Sequence, residues 1–153
     1  MNYRDTASFG KRQEFIVIAE LLRRGFDIYL TLVDDKGIDC IIRKNENCYI
    51  DMQIKARSKE AKQWNQFSAM SFTPRKNYFF IFYTEKNNSF WIIPSCEVVK
   101  LGSVNKSGKN AGTISLILPK RLSGSKFNLF QKYKDENGFK LLEEFDCKEK
   151  ESK

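Results

Sequence analysis

Asp39, Gln53 and Lys55 are the residues from which chemistry can be read first. They lie in GIDCIIRKNENCYIDMQIKAR, Gly37 to Arg57, which reads as two short strands joined by a polar turn. A half-buried strand gains nothing from a lone charge, because a buried charge is costly unless it is paired or binds a metal. Side chains alternate along a strand, so Asp51, Gln53 and Lys55 share one face, and Ile50, Met52, Ile54 and Ala56 the other. Pairing Lys44 with Cys48 around a three-residue turn sets Ile41 opposite Asp51 and Asp39 opposite Gln53, and opposite residues share a face. A slip of one residue would separate them. The favoured register also keeps Cys40, Met52 and Ile54 on the apolar face. One patch then holds a carboxylate, an amide and an ammonium. Oxygen donors suit a hard cation such as Mg²⁺. The lysine can orient a water and offset developing negative charge. For so short a motif the plain alternative is a surface hairpin whose charges pair with one another.

What the chain lacks narrows the chemistry further. It has no histidine, which excludes a Ser-His-Asp triad, a Cys-His pair and any histidine general base. Its four cysteines, Cys40, Cys48, Cys96 and Cys147, form no CxxC pair. They make a poor zinc site and read as free thiols in a reducing cytosol. Catalysis must rest on carboxylates, lysine, tyrosine, cysteine or a bound metal.

The elements that must position the patch follow from the hydrophobic pattern. Ser8 to Gly25 reads as a helix, with Phe15, Ile18, Ala19 and Leu22 at core spacing, Thr6 or Ser8 as cap and RRG as the stop. Glu14, one turn before Ile18, falls on its core-facing side. Phe26 to Val33 reads as a strand, and Asp34 and Asp35 as part of a turn. The hairpin Ile38–Arg43 and Tyr49–Ala56 follows. RSKEAKQWNQFSAMSF is ambiguous between a loop and a short helix. NYFFIFYTEKNNSFWIIP is a second hairpin, SCEVVKL a short helix and TISLIL a strand. NKSGKNAG is a flexible basic loop. SGSKFNLFQKY and FKLLEEF are helical. The expected fold is α/β (α+β): one domain over 1–146, a mixed central sheet of about five strands, an N-terminal helix, C-terminal helices over one face, and a frayed polar tail from 147 to 153.

The chain of 153 residues carries a formal net charge of +8, which points to a polyanionic partner, most simply nucleic acid. From Lys55 to Lys76 the bases Lys55, Arg57, Lys59, Lys62, Arg75 and Lys76 face one acid, Glu60. From Lys100 to Lys126 there is no acid, and Lys106, Lys109, Lys120 and Arg121 stand in or beside loops. Such residues neutralise phosphates, while Gln63, Asn65, Gln66 and Ser68 are polar enough to read base edges. Trp64 and Phe67 read as core or interface, and Trp91 as core. The apolar runs are too short to span a bilayer, and the N-terminus has no signal-like apolar region. A cytoplasmic protein is expected.

In chain order stand a helix bearing Glu14, then GF, a strand, GID and QIK. This arrangement resembles the PD-(D/E)XK nuclease superfamily. More narrowly, DTASFGKR, LTLVDDKGIDC, QIKARSK and NYFFIFY look like a bacterial branch that includes intron-encoded homing endonucleases. The resemblance implies a PD-(D/E)XK-type core in which Glu14 is the helical acid, Asp39 the metal-bridging acid, Gln53 the position usually held by an acid, and Lys55 the motif lysine. It implies Mg²⁺ held by Asp39, Gln53, Glu14 and the backbone carbonyl of Ile54, and 5′-phosphate products. The function it implies is a Mg²⁺-dependent, site-specific endonuclease of double-stranded DNA. Homing is favoured over a Holliday-junction resolvase or a restriction-type nuclease. A homo-oligomer, dimer or tetramer, is expected, since so small a chain covers little DNA. NYFFIFY and the Phe-rich C-terminal region are candidates for its interface, or equally for core. Two departures stand out. GID lacks the motif proline, and Gln53 replaces an acid, removing one negative charge. Asp51 shares that face but lies about 7 Å away along the strand. A non-catalytic DNA-binding module on the same fold is therefore the second reading.

Overall fold

A computed structural model describes residues 3–33 and 36–148, with side chains from Asp5 onward. Its organising strand is β5, Tyr78–Thr84, in which all seven residues are buried. A strand covered on both faces reads as an unbroken apolar run, and YFFIFY is one. It settles the role of that stretch as core rather than interface. β5 lies parallel to β3 (Cys48–Arg57) and antiparallel to β6 (Ser89–Pro94). With β1 (Asp27–Leu30) and β2 (Cys40–Asn45) they form a mixed sheet of order β1-β2-β3-β5-β6. The expected five-stranded α+β core is present. A second, antiparallel sheet of order β4-β8-β7 joins β4 (Gln66–Met70), β8 (Ile114–Ile117) and β7 (Ser103–Val104). Its β8 is the strand expected at TISLIL, and its β4 occupies part of the stretch 57–72, read as a loop or a short helix. Its β4 is broken by a bulge at which Ala69 adopts a positive φ, which hides the strand's alternation.

The large sheet has a core on each face. On one side α1 (Tyr3–Arg23) sets Val17, Ile18 and Leu21 against Cys40, Ile42, Ile50, Met52, Ile54 and Ile81. On the other, Phe67 of β4 and Leu116 of β8 pack on Tyr78, Phe80, Phe82 and Trp91. α2 (Ser95–Leu101), α3 (Gly124–Phe130) and α4 (Asp135–Glu144) complete the shell. The C-terminal helices do not keep to one face: Phe139 and Leu142 of α4 join the first core, and Phe130 of α3 joins the second.

α1 begins earlier than its sequence cues and turns a different face inward. Phe15 and Leu22, expected in the core, are each 55% exposed, and Ala19 is exposed too. The buried stripe is Gln13, Val17 and Leu21, with Ile18 beside it. The helix does stop where RRG predicts. Gly25 has φ +86, its N–H donates to Leu22 O (2.9 Å), and Phe26 N–H donates to Leu21 O (3.1 Å), the paired bonds of a left-handed helix end.

The cysteines correct the free-thiol expectation. Cys48 and Cys147 form a disulfide, with Cα atoms 5.5 Å apart, that ties the start of β3 to the chain after α4. Only Cys40, buried, and Cys96, exposed, are free thiols. The tail expected to fray from 147 is thus anchored at its first residue, and residues 149–153, like Asp34 and Asp35, lie outside those described. Among the described residues, no helix is long and apolar enough to cross a membrane.

Candidate active site

The β2–β3 hairpin has the expected register in its body, reached by a different turn. Ile41 pairs with Asp51 and Cys40 with Met52. The turn is tighter, however, with Asn45 rather than Lys44 opposite Cys48, and a bulge at Lys44 restores the count. The bulge also re-aims Lys44, whose Nζ donates to the Leu142 and Glu143 carbonyls (both 2.7 Å) at the end of α4.

Beyond Cys40 the first strand ends while β3 runs on to Arg57. Asp39 sits at that divergence and straddles Gln53. Its N–H donates to Met52 O (2.9 Å), and its Oδ2 accepts the Ile54 N–H (2.6 Å). The chain before it is pinned by Thr31, whose Oγ1 donates to Ile38 O (2.6 Å). Asp51, Gln53 and Lys55 are all half-buried and share a face with their β5 partners Tyr78, Phe80 and Phe82.

Gln53 is held by a side chain of the neighbouring strand. The Tyr78 hydroxyl donates to Gln53 Oε1 (2.8 Å) and lies 3.2 Å from Gly37 O. Gly37 has φ +69, a conformation L side chains rarely adopt, and a Cβ there would stand 2.7 Å from the end of the Gln53 side chain at Nε2. Tyr78 was missed at the level of sequence, where it belongs to an apolar run. Its signal appears only once β3 and β5 are known to be parallel. Asp51, on the same face, has a partner of its own. It is ion-paired with Arg75, whose guanidinium lies 4.4 Å from the centre of the Tyr78 ring.

Glu14 comes from the opposite side. α1 covers the face of Cys40, Met52 and Ile54, where Glu14 is half-buried and ion-paired with Lys11. Burial pushes the Cys40 thiol up to about 12, and the Asp39 and Glu14 charges add to it. Both carboxylates are therefore within electrostatic reach of Cys40, at one end of the sheet. Among the described residues, no hydrogen bond or ion pair joins Glu14 to Asp39, Gln53 or Lys55. Gln13, next to Glu14, was also missed: it is 4% exposed, and its Oε1 has no hydrogen-bond partner.

The donor set fits a hard cation in kind. Asp39, Glu14, the Gln53 amide and the Ile54 carbonyl offer only oxygen. Among the described residues, no three of His, Cys, Asp and Glu gather as a ready cage. Any cation here must draw on the amide and the backbone as well as the acids.

The basic residues divide into two groups. Arg57 and Arg75 each bond within the protein, Arg57 Nε donating to Gln66 O (2.7 Å) and Arg75 pairing with Asp51. Lys59, Lys62, Lys106, Lys109, Lys120 and Arg121 are exposed, as is Lys76, whose Nζ reaches Lys148 O (3.2 Å). The loop bearing Lys106 and Lys109 is internally bonded rather than slack, with Asn105 N–H to Thr113 O at 2.9 Å and Gly112 N–H to Asn105 O at 2.8 Å. Asn65, read from sequence as a base-contacting residue, is buried, and its Nδ2 donates to Leu118 O (2.6 Å).

No family model and no curated protein matches the chain. Among solved structures it is similar to the bacterial homing endonuclease I-Ssp6803I, with a TM-score of 0.61 and 16% identity over 87% of each chain. At that identity the likeness shows the fold that carries Asp39, Gln53 and Lys55.

Proposed function

We propose that the protein is a Mg²⁺-dependent endonuclease of double-stranded DNA, of the PD-(D/E)XK type and most simply a homing endonuclease. One observation carries the reading. Asp39 is fixed against the Ile54 N–H where β2 has ended, with Gln53 between its two backbone contacts and Lys55 next on the same face. The likeness to a structure described as a homing endonuclease supports it.

Asp39, the Gln53 Oε1, the Ile54 carbonyl and Glu14 would hold the cation. Gln53 Oε1 keeps a lone pair free while accepting from Tyr78. The Ile54 carbonyl points the same way as that of Met52 two residues earlier, into the gap β2 leaves. Mg²⁺, when bound, polarises a phosphoryl oxygen and makes water a better nucleophile. Lys55 places a positive charge where the phosphate gains negative charge in the transition state, and donates to the attacking water. The Tyr78 hydroxyl keeps the Gln53 amide from turning away. Cutting both strands takes two such patches, hence two copies of the chain. DNA would be met by the exposed lysines and Arg121 rather than by Arg57 or Arg75.

The test is cleavage of a mixed pool: supercoiled plasmid, branched DNA, and the DNA flanking the gene with any intron removed. It is run with Mg²⁺, with EDTA and with the Asp39→Asn protein. Cutting that needs Mg²⁺ and is lost in Asp39→Asn supports the reading, and the substrate cut separates homing from junction resolution. Salt-sensitive binding without cutting on any substrate would replace it with a non-catalytic DNA-binding module. The neutral amide at position 53 is the observation that favours that second reading.

A further inference from the structure

The small sheet carries a surface pattern of its own. Phe67 and Leu116 pair with each other and are buried against the β5 aromatics. Alternation then turns Gln66 and its partner Ile117 outward, with Ser115 and its partner Ser103 on the same side. Asn105 and Thr113 extend the row: Asn105 Nδ2 donates to Thr113 Oγ1 (2.7 Å) and lies 3.2 Å from Ser115 Oγ. The face is built of amides and hydroxyls around one exposed aliphatic side chain, without an acid. Exposed Lys106 and Lys109 sit on the ordered loop at its end.

This face is tied to the strand of Lys55. Arg57 stands two residues past Lys55 on the same face, donates to Gln66 O, and lies 5.6 Å from the centre of the Phe67 ring. That ring lies 4.8 Å from Phe82, the β5 partner of Lys55. Gln66 is therefore set at a fixed offset from Lys55 by a hydrogen bond, a tilted ring contact and the chain itself, while alternation turns its own side chain outward.

We infer that the outer face of β4 and β8 enters the major groove of double-stranded DNA and reads bases, with Gln66 as the principal reader and Arg57 as the positioning residue that sets its distance from the cut. The inference rests on the nuclease reading above. The major groove admits a β-ribbon, glutamine matches the adenine edge with two hydrogen bonds, and an aliphatic side chain suits a thymine methyl. Lys106 and Lys109 then meet the flanking phosphates.

The test is selection from a randomised duplex pool, with Ca²⁺ in place of Mg²⁺ so that bound DNA survives. The native protein enriches a motif. Gln66→Ala flattens one adenine position by about tenfold and leaves the salt dependence unchanged. Gln66→Glu moves that preference towards cytosine, which a merely destabilised sheet would not do. Arg57→Lys blurs the same position without changing the salt slope. Lys106→Gln with Lys109→Gln lowers the slope by about 2 and keeps the motif. An unchanged motif in Gln66→Ala and Gln66→Glu overturns the inference, as does binding by the native protein with no motif enriched. Failure of the native protein to bind DNA at all would instead overturn the nuclease reading.

Discussion

In the proposed site Gln53 would be a neutral ligand where a second acid would bind a cation more tightly, and its neighbours decide what that change does. Because Tyr78 holds the amide oxygen in place, a carboxylate of nearly the same shape can occupy the position and still accept from Tyr78. Gln53→Glu is expected to lower the Mg²⁺ concentration needed for half-maximal cleavage, measured by titrating Mg²⁺ against the cutting rate. Lys55→Ala is expected to reduce cleavage by about 100-fold or more while binding to uncut duplex stays nearly intact. Equal loss of both would make Lys55 a phosphate contact only. Cys40 is buried with its thiol pushed up to about 12, and Cys96 is exposed. A thiol reagent should therefore label Cys96 in the native protein and spare Cys40, as read by mass spectrometry of the labelled peptides. Asp39, Gln53 and Lys55 were legible in the sequence because their relation is local: one hairpin, one register, a period of two. Tyr78 was not, because its bond to Gln53 depends on a parallel pairing with β5 that no short-range pattern announces.

At the scale of elements, two ties fix the C-terminal part of the chain, one to α1 and one to the sheet. Arg24 bridges Glu20 of α1 and Glu136 of α4 and lies 3.7 Å from the centre of the Phe139 ring. The Arg23 hydrogen bond, opposed by burial and aided by Arg24, holds Glu20 at about 2 against an ordinary 4.5. A carboxyl lowered on folding adds stability that is full above 4.5 and is lost as pH falls towards about 2. The stability gap between the native protein and Glu20→Gln, measured by urea unfolding, should close across that window. The other tie is the Cys48–Cys147 disulfide, which spans 99 residues of chain. Reduction should lower stability by about 2–4 kcal/mol, mainly by freeing the unfolded chain. It should leave the cutting rate unchanged, since Cys48 alternates onto the face away from Gln53 and Lys55. Sequence alone does not pair two cysteines 99 residues apart, and here composition argued for free thiols. The face of α1 was misread for a different reason. The helix carries two apolar stripes, one through Val17 and Leu21 and one through Phe15 and Leu22, and periodicity cannot say which meets the sheet.

For the molecule as a whole, the charge of +8 bears on the proposed DNA binding only through the bases still available to a phosphate. Two of the most obvious candidates, Arg57 and Arg75, are engaged in holding Gln66 and Asp51. The exposed bases Lys59, Lys62, Lys76, Lys106, Lys109, Lys120 and Arg121 remain. Each that meets a phosphate releases a counterion, so the log of the binding constant falls with log salt by about 0.9 per contact. If all seven make contact, non-specific duplex binding has a slope of about −6 per chain. Lys120→Gln and Arg121→Gln should each flatten it by about 1. Arg75→Gln removes a charge as well, yet it should leave the slope alone and lower the melting temperature instead, because it strands the Asp51 carboxylate beside the Tyr78 ring. Fluorescence anisotropy of a labelled duplex across a salt series separates the two outcomes. A slope that falls with Arg75→Gln as much as with Arg121→Gln would mean that the Asp51 pair opens on DNA, and that the site rearranges when its substrate arrives.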